Sequence, residues 1–238
     1  LSKKSGRPVK MVMSREEVFR GSGPTSGGTI NVKIGATKNG RIVAAECETI
    51  LQAGAFPGSP VGPACMTAFA CYDLTDVTAF GYDVVSNRPK VAAYRAPGAP
   101  ISTFAVESAV DELAQKLGMD PGKFRLINAA KDETKAAYGP TLKNIGFVET
   151  LEAAVASQHY TSDLGEAPKG KRRGRGIASG FWFNIGGESS GATYVNEDGT
   201  VTVVSGNPDI GGSRASMGMM AAEVLGIEVE RVRTIVGD

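Results

Sequence analysis

Two glycine- and proline-rich stretches carry the residues best suited to gripping an anion. The first is Ala93-Tyr94-Arg95-Ala96-Pro97-Gly98-Ala99-Pro100. Two prolines and a glycine restrict its backbone, and Pro100 stands where a helix would open, a position at which its missing N–H costs little. Tyr94 and Arg95 are thereby delivered just ahead of a helix N-terminus, where free N–H groups and the helix dipole favour negative charge. An arginine in that place suits a phosphate or a carboxylate. The competing reading is a rigid turn with Arg95 in a structural ion pair. The second stretch is Asn207-Pro208-Asp209-Ile210-Gly211-Gly212-Ser213-Arg214, between a strand and a helix. Gly211, Gly212 and Ser213 would expose backbone N–H groups at the helix start, with a hydroxyl from Ser213 and a charge from Arg214. The competing reading here is a tight turn with Ser213 as N-cap. This stretch is neither G-x-G-x-x-G nor a Walker A loop, since no lysine follows at the required spacing.

Other reactive groups are sparse. Phe181-Trp182-Phe183, before Gly186-Gly187-Glu188, could line a pocket with Trp182 and Phe183, although aromatics in a strand more often pack a core. Glu107, Asp111 and Glu112 cluster on one amphipathic helix and read as solvated or salt-bridged carboxylates. His159, the one histidine, lies beside a polar stretch and reads as a surface residue; a histidine-rich metal site is excluded. The three cysteines, Cys47, Cys65 and Cys71, form no C-x-x-C, which argues against a zinc ribbon or an iron–sulfur cluster in this chain. So few thiols suit a reduced, cytoplasmic setting.

The elements that must position these residues follow from periodicity. Val9 to Ser14 reads as a short strand. Thr29 to Ala36 alternates, with Ile30, Val32 and Ile34 on one face. Asn39-Gly40 signals a two-residue hairpin turn. Arg41 to Ala53 returns with Val43, Ala45, Cys47, Thr49 and Leu51 on one side. Gly54 to Gly62 is a loop, Pro63 to Ala70 a short helix, and Val77, Ala79 and Val84 mark another strand. Val106, Val110, Leu113 and Leu117 make a helical stripe stopped by Gly118. Asp120-Pro121 caps and opens a second helix. A third spans Phe147 to Ser157 with Phe147, Leu151, Ala154 and Val155 inward. Residues 161–176 read as a linker; its Lys169, Lys171, Arg172, Arg173 and Arg175 are better read as a solvated loop than as a phosphate site. Ile177 to Asn184 is β-like. A second hairpin, Ala192 to Asn196 and Val201 to Ser205 around Asp198-Gly199, leads to a helix with Met217, Met220, Ala221 and Val224 inward, closed by Gly226. Val232 to Val236 ends the chain as a strand.

The pattern of hairpin, glycine-rich loop and helix thus occurs twice. It predicts an α+β fold of two related units, each a mixed β-sheet with helices packed on one face. Residues 1–160 form the first unit, 161–176 a linker, and 177–238 the start of a second, truncated unit. The 26 basic and 25 acidic residues nearly cancel, leaving no field for nucleic acid or an anionic membrane. No apolar run is long enough to span a bilayer. Leu1 at the start and Asp238 directly after a strand suggest a piece of a longer polypeptide.

Several of these stretches together are similar to one family. Ala93 to Pro100 with Phe104-Ala105-Val106-Glu107-Ser108, Asp111-Glu112-Leu113-Ala114, Leu117-Gly118-Met119-Asp120-Pro121 and Arg125-Leu126-Ile127-Asn128 resembles the molybdenum hydroxylases. These are the molybdopterin-binding large subunits of xanthine dehydrogenases, aldehyde oxidases and carbon monoxide dehydrogenases. Gly6-Arg7-Pro8-Val9-Lys10, Ser14-Arg15-Glu16-Glu17, Asp209-Ile210-Gly211, Glu223-Val224-Leu225-Gly226 and Val232-Arg233 follow the family's order. The resemblance implies that Tyr94, Arg95 and Ala96 contact molybdopterin, in its cytosine dinucleotide form, and that Gly211, Gly212, Ser213 and Arg214 hold its phosphate or pterin end. It places Pro97 in the substrate pocket. It also implies hydroxylation with water, electrons leaving through iron–sulfur and FAD domains or subunits, and a homo-oligomeric parent.

Three positions depart from the family. Gly212 stands where glutamine is frequent, Pro97 where purine oxidisers carry phenylalanine, and Ala96 where carbon monoxide oxidisers carry cysteine. An aldehyde or N-heteroaromatic substrate is therefore expected. The upstream Gly-Gly-x-Phe-Gly loop and the catalytic glutamate of the family are not in these 238 residues, so the chain alone is expected to be inactive. Two readings of other classes stand beside this one: a cofactor-free interaction or assembly domain descended from the family, and a nucleotide-binding module using Gly211 to Arg214.

Overall fold

The computed structural model describes residues 1–183 and 186–236. They divide into two units, Leu1–Trp182 and Phe183–Asp238. In chain order the first holds α1 (Ser2–Ser5), α2 (Arg15–Gly21), β1 (Gly28–Ala36), β2 (Ile42–Gly54), α3 (Val61–Thr67), β3 (Val77–Val85), α4 (Ala99–Lys116), α5 (Pro121–Asn128), α6 (Phe147–Ala156) and α7 (Gln158–Thr161). The second holds β4 (Gly191–Val195), β5 (Val201–Ser205), α8 (Ser213–Leu225), a short 3-10 turn, and β6 (Val232–Val236).

Each unit is built on one mixed sheet, in the orders β1-β2-β3 and β4-β5-β6. In both, an antiparallel hairpin is followed by a helix and then a strand parallel to the hairpin's second strand. The α+β architecture of two related units is therefore present. Even the turns correspond. Thr37 N–H donates to Arg41 O at 2.9 Å and Asn196 N–H to Thr200 O at 2.8 Å, so each hairpin closes around three residues rather than two. The third of these is a glycine with positive φ, Gly40 at 89° and Gly199 at 75°, the αL residue that a three-residue hairpin loop requires.

The core of the first unit lies between its sheet and α4. Ala45 and Cys47 of β2 share one core with Val106, Val110 and Ala114 of α4, with Phe69, Tyr72, Leu74 and Phe124 filling the sides. Ile30, Val32 and Ile34 present the expected half-buried face of β1. α4 opens with Pro100 in its first turn and yields at Gly118, where φ is +66°. Asp120 caps α5 by accepting the Lys123 N–H at 2.8 Å. Asn128, fully buried, ties α5 to the first hairpin: it accepts from Ile42 N–H and donates to Gly40 O, both at 2.8 Å.

Several expectations need correction. Val9 to Ser14 forms no strand; no neighbouring strand takes its backbone groups, and Met11 and Val12 are exposed. Val43 faces outward and Ile42 inward, because the register shifts beside Gly35 and Ala36. Ala154 of α6 is exposed. The described residues of 177–184 have no strand; Asn184 lies outside them. On α8 the buried residues are Gly218 and Ala222, whereas Met220 and Val224 are exposed. The reason is close approach: a Cβ at Gly218 would stand 3.1 Å from Thr234 Oγ1. Small residues four apart let the helix settle onto β6, and this turns Met220 and Val224 away.

Candidate functional site

Most charged residues of the family-like motifs are consumed by the fold. Arg125 is fully buried. Its Nε donates to Glu107 Oε2 at 2.8 Å, and its Nη1 to Asp111 Oδ1 at 2.7 Å and to Pro121 O at 3.1 Å. Glu107 is also buried; its second oxygen accepts the Tyr72 hydroxyl, and Oε2 also accepts the Ser179 N–H at 2.6 Å. Both carboxylate oxygens of Glu107 thus have donors, as a buried carboxylate requires. Burial, followed by the Glu107 charge, drives the Tyr72 hydroxyl well above its ordinary range and pushes the Cys71 thiol up to about 12. Neither group is a nucleophile or base at neutral pH. The salt-bridged reading of the carboxylate cluster holds for Glu107 and Asp111; Glu112 is exposed.

The stretch before α4 behaves differently. Tyr94 and Arg95 are exposed, and Arg95 has no hydrogen bond or ion pair among the described residues. The structural ion pair considered above for Arg95 is absent there. Ala96 and Pro97 are half-buried, and Ala96 has φ +54°, an uncommon conformation for a residue with a Cβ. Its carbonyl accepts the Ala99 N–H at 3.1 Å, closing the turn into α4. Gly98 is required by packing: φ is +88°, and a Cβ would stand 2.3 Å from Pro60 O. Gly98→Ala is accordingly expected to destabilise the chain by at least about 1–3 kcal/mol. A shift in the urea unfolding midpoint checks this; no shift would mean that the turn relaxes freely.

In the second unit, Gly211 (φ +64°) and Gly212 (φ +93°) carry the chain into α8. The N-cap is Gly212, not Ser213. Ser213 instead braces the loop from inside, its hydroxyl donating to Pro208 O at 3.1 Å and accepting the Ile210 N–H at 3.2 Å. Arg214 is drawn back onto Asp209, with N–H to Oδ1 at 3.2 Å and Nη2 to Oδ2 at 3.3 Å. The Arg214 N–H and charge hold the Asp209 carboxyl below the ordinary aspartate range. This brace is complete at neutral pH and is lost only as the pH falls through that lowered value. The N–H groups of Gly211, Gly212 and Ser213 have no acceptor among the described residues. An open hollow of about 590 Å³, lined by Glu188, Ser205, Asn207 and Met217, runs beside the strand that feeds the loop.

The aromatic stretch is split between units. Phe181 is half-buried, stacks on Tyr138 with ring centroids 5.6 Å apart, and lines an apolar cavity of about 350 Å³ with Cys71, Leu142 and Phe147. Trp182 is partly exposed and Phe183 half-buried. The basic stretch before it is partly used by the fold: Arg175 Nη1 donates to Tyr160 O and Ser162 O, both at 2.6 Å, and Arg173 Nη1 to Leu164 O at 2.8 Å. His159 lies on α7, exposed. Among the described residues no three His, Cys, Asp or Glu side chains group as metal ligands, and no helix is long and apolar enough to cross a membrane. Sequence reasoning did not find the Arg125–Glu107–Tyr72–Ser179 network as a unit; the signal was a buried-type spacing on α4 and a lone arginine on α5.

Each of the two sheet-and-helix units thus carries one exposed loop with donors that have no partner among the described residues. Models of the molybdopterin cofactor-binding domain match residues 1–129 and 148–238, and the chain belongs to this family, that of the molybdenum hydroxylases. It is 32% identical, over 98% of its length, to a xanthine dehydrogenase molybdenum-binding subunit of Escherichia coli, and covers 33% of that protein. It is 37% identical, over 62% of its length, to the nicotinate dehydrogenase large molybdopterin subunit of Eubacterium barkeri, covering 36% of it. Among solved structures, the aldehyde oxidoreductase from Desulfovibrio gigas superposes with a TM-score of 0.69 at 25% identity, over 98% of this chain and 27% of that one. The chain spans about a third of the length of the curated relatives it matches.

Proposed function

We propose that this chain is the portion of a molybdenum hydroxylase large subunit that binds the cofactor, with Tyr94, Arg95 and Ala96 of the first unit and Gly211, Gly212, Ser213 and Arg214 of the second as its cofactor-binding residues. One observation carries the reading. Glu107, Asp111 and Arg125 of the neighbouring motifs are satisfied within the fold, whereas Arg95 and the N–H groups of Gly211 to Ser213 have no partner among the described residues. That donor set fits the phosphate and pterin of molybdopterin, cytosine dinucleotide form included, because backbone N–H groups at a helix start and a guanidinium are the standard partners of such anions.

Bound there, the cofactor supplies the redox and oxygen-transfer chemistry of hydroxylation. The chain's own part is to bind and orient. Gly98 and Ala96 fix the turn that presents Arg95; Asp209 and Ser213 fix the loop that presents the free N–H groups. Gly212 adds no side-chain contact, so the backbone does the work that a glutamine does in many relatives.

The substrate proposed is an aldehyde or an N-heteroaromatic ring, with Pro97, Trp182 and Phe183 contributing to its pocket. Pro97 and Ala96 lack the side chains that mark purine and carbon monoxide oxidisers, and the likeness to a nicotinate dehydrogenase subunit supports a heteroaromatic ring. Iron–sulfur and FAD domains or subunits would take the electrons, in a cytoplasmic and homo-oligomeric parent. The full-length protein is expected to contain about one molybdenum per subunit by elemental analysis. A fully active parent without molybdenum would defeat this reading and favour a cofactor-free domain.

A further inference from the structure

We infer that Asp83 is a positioning residue for the cofactor site proposed above: its carboxylate fixes the loop of residues 55–60, and that loop seats the turn that presents Arg95. The inference rests on the reading of Arg95 as part of that site. Asp83 lies on β3, although aspartate is a poor strand former, and it is exposed, so it serves no core. β2 and β3 run parallel, with Leu51 opposite Asp83 and Gly54 opposite Val85, so the loops that follow them leave from one edge of the sheet.

Asp83 holds the first of those loops. Its Oδ2 accepts the Gly58 N–H at 2.6 Å and its Oδ1 the Ser59 N–H at 2.9 Å. Hydrogen bonds to a charged acceptor are the strong ones, and two of them on adjacent residues fix the direction of the loop as well as its place. Pro60 follows at once, and its carbonyl accepts the Ala64 N–H at 3.0 Å, opening α3. Gly98 rests on that carbonyl: a Cβ there would stand 2.3 Å from Pro60 O and 2.8 Å from the Ala64 nitrogen.

The second loop, residues 86–98, is thereby anchored at both ends. At its start Ser86 N–H donates to Gly54 O at 2.9 Å and Val91 N–H to Ala53 O at 3.1 Å, and Lys90 Nζ donates to Gly58 O at 2.8 Å. At its end stands Gly98. Arg95, unpaired among the described residues, and Ala96, at φ +54°, lie between these anchors. Both anchors bear on residues 58–60, the stretch that Asp83 grips. Without its carboxylate that stretch is free to shift under Lys90 and Gly98 alike, and the uncommon conformation of Ala96 loses part of the surroundings that impose it. A guanidinium on a looser turn binds an anion less tightly, because it must be ordered on binding.

The test uses the full-length subunit loaded with its cofactor, as wild type, Asp83→Ala, Arg95→Ala and the double variant. The readout is the rate at which molybdenum and pterin are lost, by analysis of the protein recovered by gel filtration after timed incubation. Arg95→Ala is expected to speed the loss roughly ten- to hundredfold, and Asp83→Ala roughly three- to tenfold. With Arg95 already removed, Asp83→Ala should add less than about twofold, because residues that act through one another are not additive. Asp83→Asn keeps one acceptor oxygen and should restore part of the retention. Amide hydrogen exchange in Asp83→Ala should quicken over residues 91–99 and stay at the wild-type rate over α5. Unchanged cofactor loss in Asp83→Ala, the same factor with and without Arg95, or exchange that quickens equally in α5 would each overturn the role of Asp83. Should Asp83→Ala fail to fold, the same cycle with Asp83→Asn decides between these outcomes. An Arg95→Ala variant that loses cofactor no faster than wild type would instead defeat the underlying reading, and this inference with it.

Discussion

Replacing Arg125 by methionine is expected to destabilise the chain by about 3–5 kcal/mol, the usual cost of leaving a buried charge without its partner. Arg125 is wholly buried, and its removal strands Glu107, which is itself buried and shared with Tyr72 and Ser179. The loss falls on three segments at once. α4 carries Glu107, α5 carries Arg125, and the segment after α7 is pinned through the Ser179 N–H. Urea unfolding of the variant measures the effect. Pairing Arg125→Met with Glu107→Leu should return much of the lost stability, because two apolar side chains leave no charge to solvate. A single variant within about 1 kcal/mol of wild type would show that the pair is reached by water and that the network does not order these segments.

Replacing Arg95 by alanine is expected to have the opposite profile. The side chain is exposed and unpaired among the described residues, so its removal should leave the unfolding midpoint where it is. In the full-length subunit it removes a charge-assisted contact, worth about 1.5–3 kcal/mol, and cofactor affinity should fall roughly ten- to hundredfold. Molybdenum and pterin retained after gel filtration give the readout. Full retention by the variant would take Arg95 out of the site.

What could be read in the residues before the fold was known divides along a physical line. α4 announces itself through Pro100, an apolar stripe and Gly118, and α5 through Asp120-Pro121; these are local signals within one or two turns. The repetition of hairpin, glycine-rich loop and helix gives the two-unit α+β fold for the same reason. Features set by partners distant in sequence are less legible. Ile42 and Val43 exchange faces because of a register shift against β1. The face of α8 is chosen by the fit of Gly218 against Thr234, not by its methionines. Val9 to Ser14 has the composition of a strand and no neighbour to make it one. At the candidate site, the special residues of both loops are visible because glycine, proline and arginine are unusual in such concentrations. That Arg95 is unpaired while Arg125 is buried cannot be read from either motif, because it depends on which carboxylates the packing brings near.

The central proposal is that Arg95 and the N–H groups of Gly211 to Ser213 are donors to the molybdopterin cofactor. An experimental structure of the cofactor-loaded full-length subunit tests it most directly. The expected result is a single molybdopterin within hydrogen-bonding distance of Arg95 and of at least one N–H group of Gly211, Gly212 or Ser213. A cofactor seated elsewhere, or touching one loop while the other stays far from it, would contradict the claim.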